Sequence, residues 1–160
     1  MKELRVRDLM TTQVVTVKPT DTIRRATIKF AVDSVTGAPV VDNRNHVIGI
    51  ITEHDILELI LRHQDRLDAE GSPNYLLAST LDGENLDAEI ADANRAISEM
   101  KVEDVMKRSV LVTTPDAEIV ETLREMMKMG VNRVPVLEQG VLVGVITRAD
   151  IIFHIYKRKA

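Results

Sequence analysis

The sequence predicts an α/β fold of the α+β kind, built as two β-α-β-β-α units packed about a pseudo-two-fold axis. Three observations predict it. The chain repeats itself: Val6-Arg7-Asp8-Leu9-Met10 returns as Val102-Glu103-Asp104-Val105-Met106, so Met10 and Met106 stand 96 positions apart. Pro19 and Pro115, Ile23 and Ile119, and Pro39 and Pro135 keep that offset. After one further turn the offset falls to 95, with Gly49 matching Gly144, Thr52 matching Thr147 and Asp55 matching Asp150. A register that slips once, at a turn, marks a duplicated structural unit. Within each copy, apolar residues alternate between helical spacing and short β-branched runs, which is the pattern of mixed helix and strand.

Each copy reads element by element. Val14-Val15-Thr16-Val17 and Val110-Leu111-Val112 are short β-branched strands that end at Pro19 and Pro115. Thr20 or Asp21, and Thr114 or Asp116, are placed to cap the helices that follow. The first helix presents Ile23, Ala26, Thr27, Phe30 and Ala31 on one face, and its counterpart presents Ile119, Val120, Leu123, Met126 and Met127. Next come the strands Ala38-Pro39-Val40-Val41 and Val134-Pro135-Val136-Leu137. The turn Asp42-Asn43-Arg44-Asn45 is one residue longer than Glu138-Gln139-Gly140, which accounts for the change of offset. Val47-Ile48-Gly49-Ile50-Ile51 and Val141-Leu142-Val143-Gly144-Val145-Ile146 are near-continuous apolar strands, expected to be buried on both faces. A last helix starts near Asp55 or Asp150.

The organisation is therefore a first motif over residues 1–62, an inserted helical linker over 63–100, and a second motif over 101–160. In the insert, Gly71-Ser72-Pro73-Asn74 and Asp82-Gly83 are breaks. Leu86, Ile90, Ala93, Ile97 and Met100 recur at helical spacing, with acids on the other side. This amphipathic helix is expected to pack on the module or on a partner copy.

Composition narrows the function. Apolar residues make up 44% of the 160 and charged residues 29%, ordinary values for a globular chain. No apolar run approaches the ~20 residues that span a bilayer, and no signal peptide is visible behind Met1-Lys2-Glu3-Leu4-Arg5. A membrane role is not expected. With no cysteine, thiol catalysis is excluded and a cytoplasmic address is favoured. A net charge of −4, with two Phe, two Tyr and no Trp, argues against a nucleic-acid partner. His46, His54, His63 and His154 lack metal-site spacing, and His46 reads as a solvated turn residue. No P-loop and no nucleophile–base arrangement is present, so no enzyme is expected.

The order of elements, the Ala-Pro-Val and Val-Pro-Val strands, and the endings Gly49-Ile50-Ile51-Thr52-Glu53-His54-Asp55-Ile56 and Gly144-Val145-Ile146-Thr147-Arg148-Ala149-Asp150-Ile151 resemble the CBS domain, named after cystathionine β-synthase. Two tandem copies resemble a Bateman module, here as a stand-alone CBS-domain protein. The resemblance implies a regulatory module that binds an adenosine-containing ligand (AMP, ADP, ATP or S-adenosylmethionine), without a covalent cofactor, in clefts between the motifs. It also implies a homodimer formed through helices, for which the faces Ile119–Met127 and Ile23–Phe30 are candidates. An unknown protein partner would read the ligand state. Carried over by position, Thr16, Thr52 and Asp55 belong to one cleft, and Val112, Thr147 and Asp150 to the other.

The same Thr-x-x-Asp pattern is also a capping box, which each helix would need with or without a ligand. Both readings stand at this point. The copies also differ. Arg133 and Arg148 have Ala38 and His54 at the matching places, and arginine pairs bidentately with phosphate. The sequence therefore favours a phosphate-rich cleft near Asp150 over one near Asp55. The alternative is an interaction or scaffold module whose clefts are vestigial.

Overall fold

A computed structural model describes residues 3–73, 75–78 and 88–157. Each copy contributes a short first helix, a longer helix, a β-hairpin and a final helix. In the first copy these are α1 (Val6–Leu9), α2 (Ile23–Asp33), β1 (Gly37–Val41), β2 (Val47–Thr52) and α3 (Glu53–Ala69). The insert adds a 3-10 turn (Leu76–Ala78) and α4 (Ala88–Glu99). The second copy gives α5 (Val102–Val105), α6 (Ile119–Met129), β3 (Arg133–Glu138), β4 (Val141–Thr147) and α7 (Arg148–Lys157).

The expected first strand of each copy is reduced to a single residue. Val17 bridges Val40 in parallel, and Thr113 bridges Val136, beside the antiparallel pairs β1–β2 and β3–β4. Thr113 takes the place expected of Val110–Val112. Helix caps also shift by a residue or two. Thr22 caps α2 by accepting from the Arg25 amide, while Asp21 accepts from the Lys18 amide instead. Helix α6 starts after Glu118, which makes no side-chain cap, and Asp116 pairs with Arg7. That ion pair raises the Arg7 pKa.

Helix burial is narrower than the apolar spacing suggests. Ala31, Val120 and Met127 are exposed, whereas Thr122 is buried and bonded to the Glu118 carbonyl. Strands β2 and β4 alternate between buried and half-buried residues rather than burying both faces throughout, whereas β1, the partner of β2, is buried along its whole length. The hairpin tips cross. The Leu142 amide donates to the Asn45 carbonyl at 3.0 Å, and His46 bridges Val141. His46 closes the Asp42 turn and is half-buried beside Gly140, with its side chain 42% exposed. Gly140 and Gln139 adopt positive φ in this tight turn.

The two copies exchange their first helices. The Val6 amide donates to Ala117 O and the Ile119 amide to Leu4 O, so α1 packs on the second copy. Conversely, the Val102 amide donates to Asp21 O and the Ile23 amide to Met100 O, so α5 packs on the first. The cores follow the exchange. Val102 and Met106 lie with Ile23, Phe30, Val40 and Ile51, while Val6, Leu9 and Met10 lie with Ile119, Met126 and Ile146.

Past each short helix the chain crosses the other copy's hairpin. Lys107 exchanges backbone hydrogen bonds with Ile50, both at 2.9 Å, and Thr11 does the same with Val145. The crossing runs directly over a glycine. A Cβ on Gly49 would stand 2.6 Å from Met106 Sδ and 2.8 Å from Lys107 O. At Gly144 the corresponding approaches are 2.9 Å to Met10 Sδ and 3.0 Å to Thr11 O. The repeated methionine and the repeated glycine are thus two halves of one contact, made between copies.

Helix α3 runs on into the insert until Ala69, and Gly71 follows at positive φ. Asn74, Asp82, Gly83 and Leu86 lie outside the described residues. Helix α4 docks on the module itself. Ile90 and Ile97 join Phe30, Leu59, Leu67 and Leu76 in the first core. Between them Asn94 is 2% exposed, and neither its Nδ2 nor its Oδ1 has a hydrogen-bond partner among the described residues. A buried amide left without partners is destabilising, and leucine matches its branched shape without the polar atoms. Asn94→Leu is expected to stabilise the protein by about 1 kcal/mol, read as a higher denaturant midpoint at unchanged slope. A lower midpoint would show that Asn94 is held by an interaction that leucine cannot replace.

Candidate functional site

Both Thr-x-x-Asp motifs sit where a hairpin ends and a helix starts. Thr52 closes β2 in an extended conformation and is the N-cap of α3. Its amide donates to Asp55 Oδ2 at 2.9 Å, and the Asp55 amide returns a longer bond of 3.5 Å to Thr52 Oγ1. In the second copy the Thr147 amide donates to Asp150 Oδ2 at 2.9 Å and the Asp150 amide to Thr147 Oγ1 at 3.1 Å. The capping role is therefore real in both copies. It uses only one carboxylate oxygen.

The second oxygen of each aspartate faces the strap arriving from the other copy. Asp55 Oδ1 meets Lys107 Nζ at 3.1 Å, and Asp150 Oδ1 accepts from Thr11 Oγ1 at 3.3 Å. Lys107 and Thr11 are equivalent positions, 96 apart, so the duplicated site carries an ammonium in one half and a neutral hydroxyl in the other. Asp55 is 3% exposed, whereas Asp150 is half-buried.

Two clefts contain these aspartates. The larger, of about 350 Å³, brings Thr52 and Asp55 together with Lys107, the segment Ser109-Val110-Leu111, Asn132 and Arg133. The smaller, of about 170 Å³, joins Thr147 and Asp150 to Thr11, the segment Gln13-Val14-Val15 and Arg133. Each cleft thus takes its aspartate from one copy and its extended segment from the other, which crosses the grouping drawn from the sequence. Thr16 and Val112 line neither of these two clefts. The Thr16 carbonyl accepts from Lys29 Nζ, and Val112 is exposed.

The two arginines part company. Arg133 lines both clefts, donates from Nη1 to Gly37 O at 2.8 Å and contacts Thr36 Oγ1 through Nη2. Its structural equivalent is Gly37, not Ala38, because each of the two pairs with the threonine that closes its hairpin. A residue that touches its own equivalent lies on the symmetry axis, so Arg133 stands at the pseudo-two-fold. Burial lowers the pKa of its guanidinium, and the Glu53 carboxylate opposes that shift. Arg148, whose equivalent at the offset of 95 is Glu53 and not His54, lines neither of these clefts, and its Nε donates to Val131 O at 3.1 Å. The second cleft therefore lacks one of the two cations expected of it. Lys107 is the residue of the larger cleft that the sequence alone does not single out. Its signal, a lysine matched to a threonine directly after the repeated methionine, acquires meaning only once the straps are known to cross.

Two duplicated α/β units that interlock around paired inter-unit clefts define a tandem repeat module. The chain belongs to the CBS domain family, whose model matches residues 6–62 and 102–157, and it is a tandem CBS pair. Over 156 residues it is 33% identical to the uncharacterized protein MJ1426 of Methanocaldococcus jannaschii, an alignment that covers 92% of this chain and 88% of that protein. Among solved structures it is similar to CBSX2 in complex with AMP, with a TM-score of 0.70, 22% identity and 98% of both chains covered. It is also similar to the CBS domain pair of protein MJ0100 in complex with 5′-methylthioadenosine and S-adenosyl-L-methionine, with a TM-score of 0.67, 21% identity, and 99% of this chain and 100% of that one covered. No helix among the described residues is long and apolar enough to cross a membrane.

Proposed function

We propose that this protein is a regulatory ligand-sensing module of the cytoplasm, not an enzyme, and that it binds an adenosine-containing nucleotide in the larger cleft. The observation that carries the reading is Asp55. It is a buried carboxylate with one oxygen committed to the helix cap and the other turned into a cleft of about 350 Å³. A carboxylate so held accepts from both hydroxyls of a ribose, while Lys107 and Arg133 supply positive charge for phosphate. A volume of this size falls in the range that encloses small molecules, and about 170 Å³ falls short of it. Geometry therefore favours the Asp55 cleft over the Asp150 cleft that the arginine count favoured. The adenosine ligands held by similar CBS pairs support the class.

A thermal-shift panel of AMP, ADP, ATP and S-adenosylmethionine tests the reading. A ligand at 100 times its dissociation constant adds about 2.7 kcal/mol of stability, a shift of several degrees. No shift with any member of the panel would end the nucleotide reading and favour the scaffold alternative. A ligand touching both copies acts by binding one of their relative arrangements better than another, and a partner protein would read the result.

The same reading takes the module to be a homodimer. Of the two faces expected to dimerise, Ile23, Ala26 and Phe30 lie in the first core, and Ile119–Met127 keeps Val120 and Met127 exposed; further exposed apolar side chains are Leu57 and Leu61 on α3 and Ile152, Phe153 and Ile155 on α7. Apolar surface in such patches marks an interface. Phe153→Glu is expected to convert the protein to monomer in sedimentation velocity without lowering its helix content. A wild-type protein that sediments as a monomer at all concentrations would overturn the dimer.

A further inference from the structure

We propose that Lys107 makes the larger cleft selective for phosphorylated nucleosides over uncharged ones. The inference rests on the adenosine reading of that cleft and deepens it. Lys107 Nζ stands 3.1 Å from Asp55 Oδ1, the one oxygen that the helix cap leaves free for a ligand. A ribose that takes this oxygen must displace the ammonium. An uncharged nucleoside offers the displaced cation nothing in return, so its binding carries the full loss of a charge-assisted contact to a buried carboxylate. A nucleotide brings its own anion. The Lys107 side chain is 58% exposed, and its four-carbon stem is free to swing from the carboxylate to a phosphate bound alongside. The ion pair thus becomes a toll on ligands without phosphate and is replaced by an equal pair for those that carry it.

The other half of the molecule serves as an internal control. There the equivalent strap position is Thr11, whose hydroxyl donates to Asp150 at 3.3 Å, and no charge pair has to be broken. Duplication gives both halves the same aspartate and the same cap, and at the strap position that faces the free carboxylate oxygen they differ as lysine and threonine. Arg133 does not fill the role of Lys107. It is already engaged with Gly37 O and Thr36, and it belongs equally to both clefts.

Calorimetric titration of the full chain with AMP and with adenosine tests the proposal, in wild type, Lys107→Thr and Lys107→Arg. Wild type is expected to bind AMP at least about tenfold tighter than adenosine. Lys107→Thr should leave AMP affinity within about threefold while adenosine binds about tenfold tighter, a gain that a general loss of structure does not produce. Lys107→Arg should keep the preference for AMP. Both variants should melt within a few degrees of wild type, since the backbone of Lys107, not its side chain, makes the bridge to Ile50. If Lys107→Thr scales both affinities equally or changes neither, while wild type binds AMP, the selectivity role is overturned and the adenosine reading survives. If wild type binds neither AMP nor adenosine, nor any other member of the thermal-shift panel, both fall together.

Discussion

Gly49→Ala is expected to lower the thermal midpoint by about 4–8 °C, equivalent to about 2 kcal/mol in a chain of this size. The added methyl would stand 2.6 Å from Met106 Sδ and 2.8 Å from Lys107 O. The sulfur belongs to a flexible side chain and can retreat. The carbonyl cannot, because the Lys107 backbone is bonded to Ile50 in both directions at 2.9 Å. Against a Met106→Ala background, itself a costly truncation in the first core, Gly49→Ala should therefore still cost part of that loss. Gly144→Ala should cost less, since the approaches there are 2.9 and 3.0 Å. Calorimetric melting of these variants checks the order. A Gly49→Ala protein that melts within a degree of wild type would show that the strap shifts without penalty.

Asp55→Ala carries the second large effect. Removing the carboxylate takes away two charge-assisted hydrogen bonds to a ribose, and AMP affinity should fall at least about 100-fold. Asp150→Ala should leave AMP affinity within about threefold, because the cleft around Asp150 is half the size and has a single cation. Each substitution also removes the acid of a capping box, so both proteins should lose about 1 kcal/mol of stability. That shared loss makes each variant the folding control for the other. Equal loss of AMP binding in both would refute the assignment to the larger cleft, and loss in Asp150→Ala alone would restore the cleft first favoured by the arginine count.

Much of this architecture is legible in the chain because duplication prints it twice. The hairpins, their turns and the slip between offsets follow from proline, glycine and β-branched residues, whose preferences act locally. The Thr-x-x-Asp caps are legible for the same reason. The first strands are not. Val14 to Val17 has every local mark of a strand, yet only Val17 finds a partner, since strand pairing is decided by what lies alongside. Val120 and Met127 fit an apolar helical stripe and are nonetheless exposed, because spacing gives the stripe but not the width of the surface it meets. The grouping of site residues fails on topology. Val110 and Asp55 are far apart in the chain and belong to different copies, and nothing local says that they share a cleft. Arg148 was a cation at a promising position, but which way a guanidinium turns is a tertiary fact.

The exchanged straps bear on how such a chain comes to exist. A single copy, severed from its twin, would keep its hairpin and two long helices but present an open seam where Met10 or Met106 now lies. Its own leading segment would be free to fill the seam of another molecule. An unduplicated ancestor of this sequence would accordingly have lived as a swapped pair of chains. Joined through a segment such as the insert, the same contacts become a fold within one molecule. Two halves joined covalently need not match each other, and one can carry a lysine where the other carries a threonine.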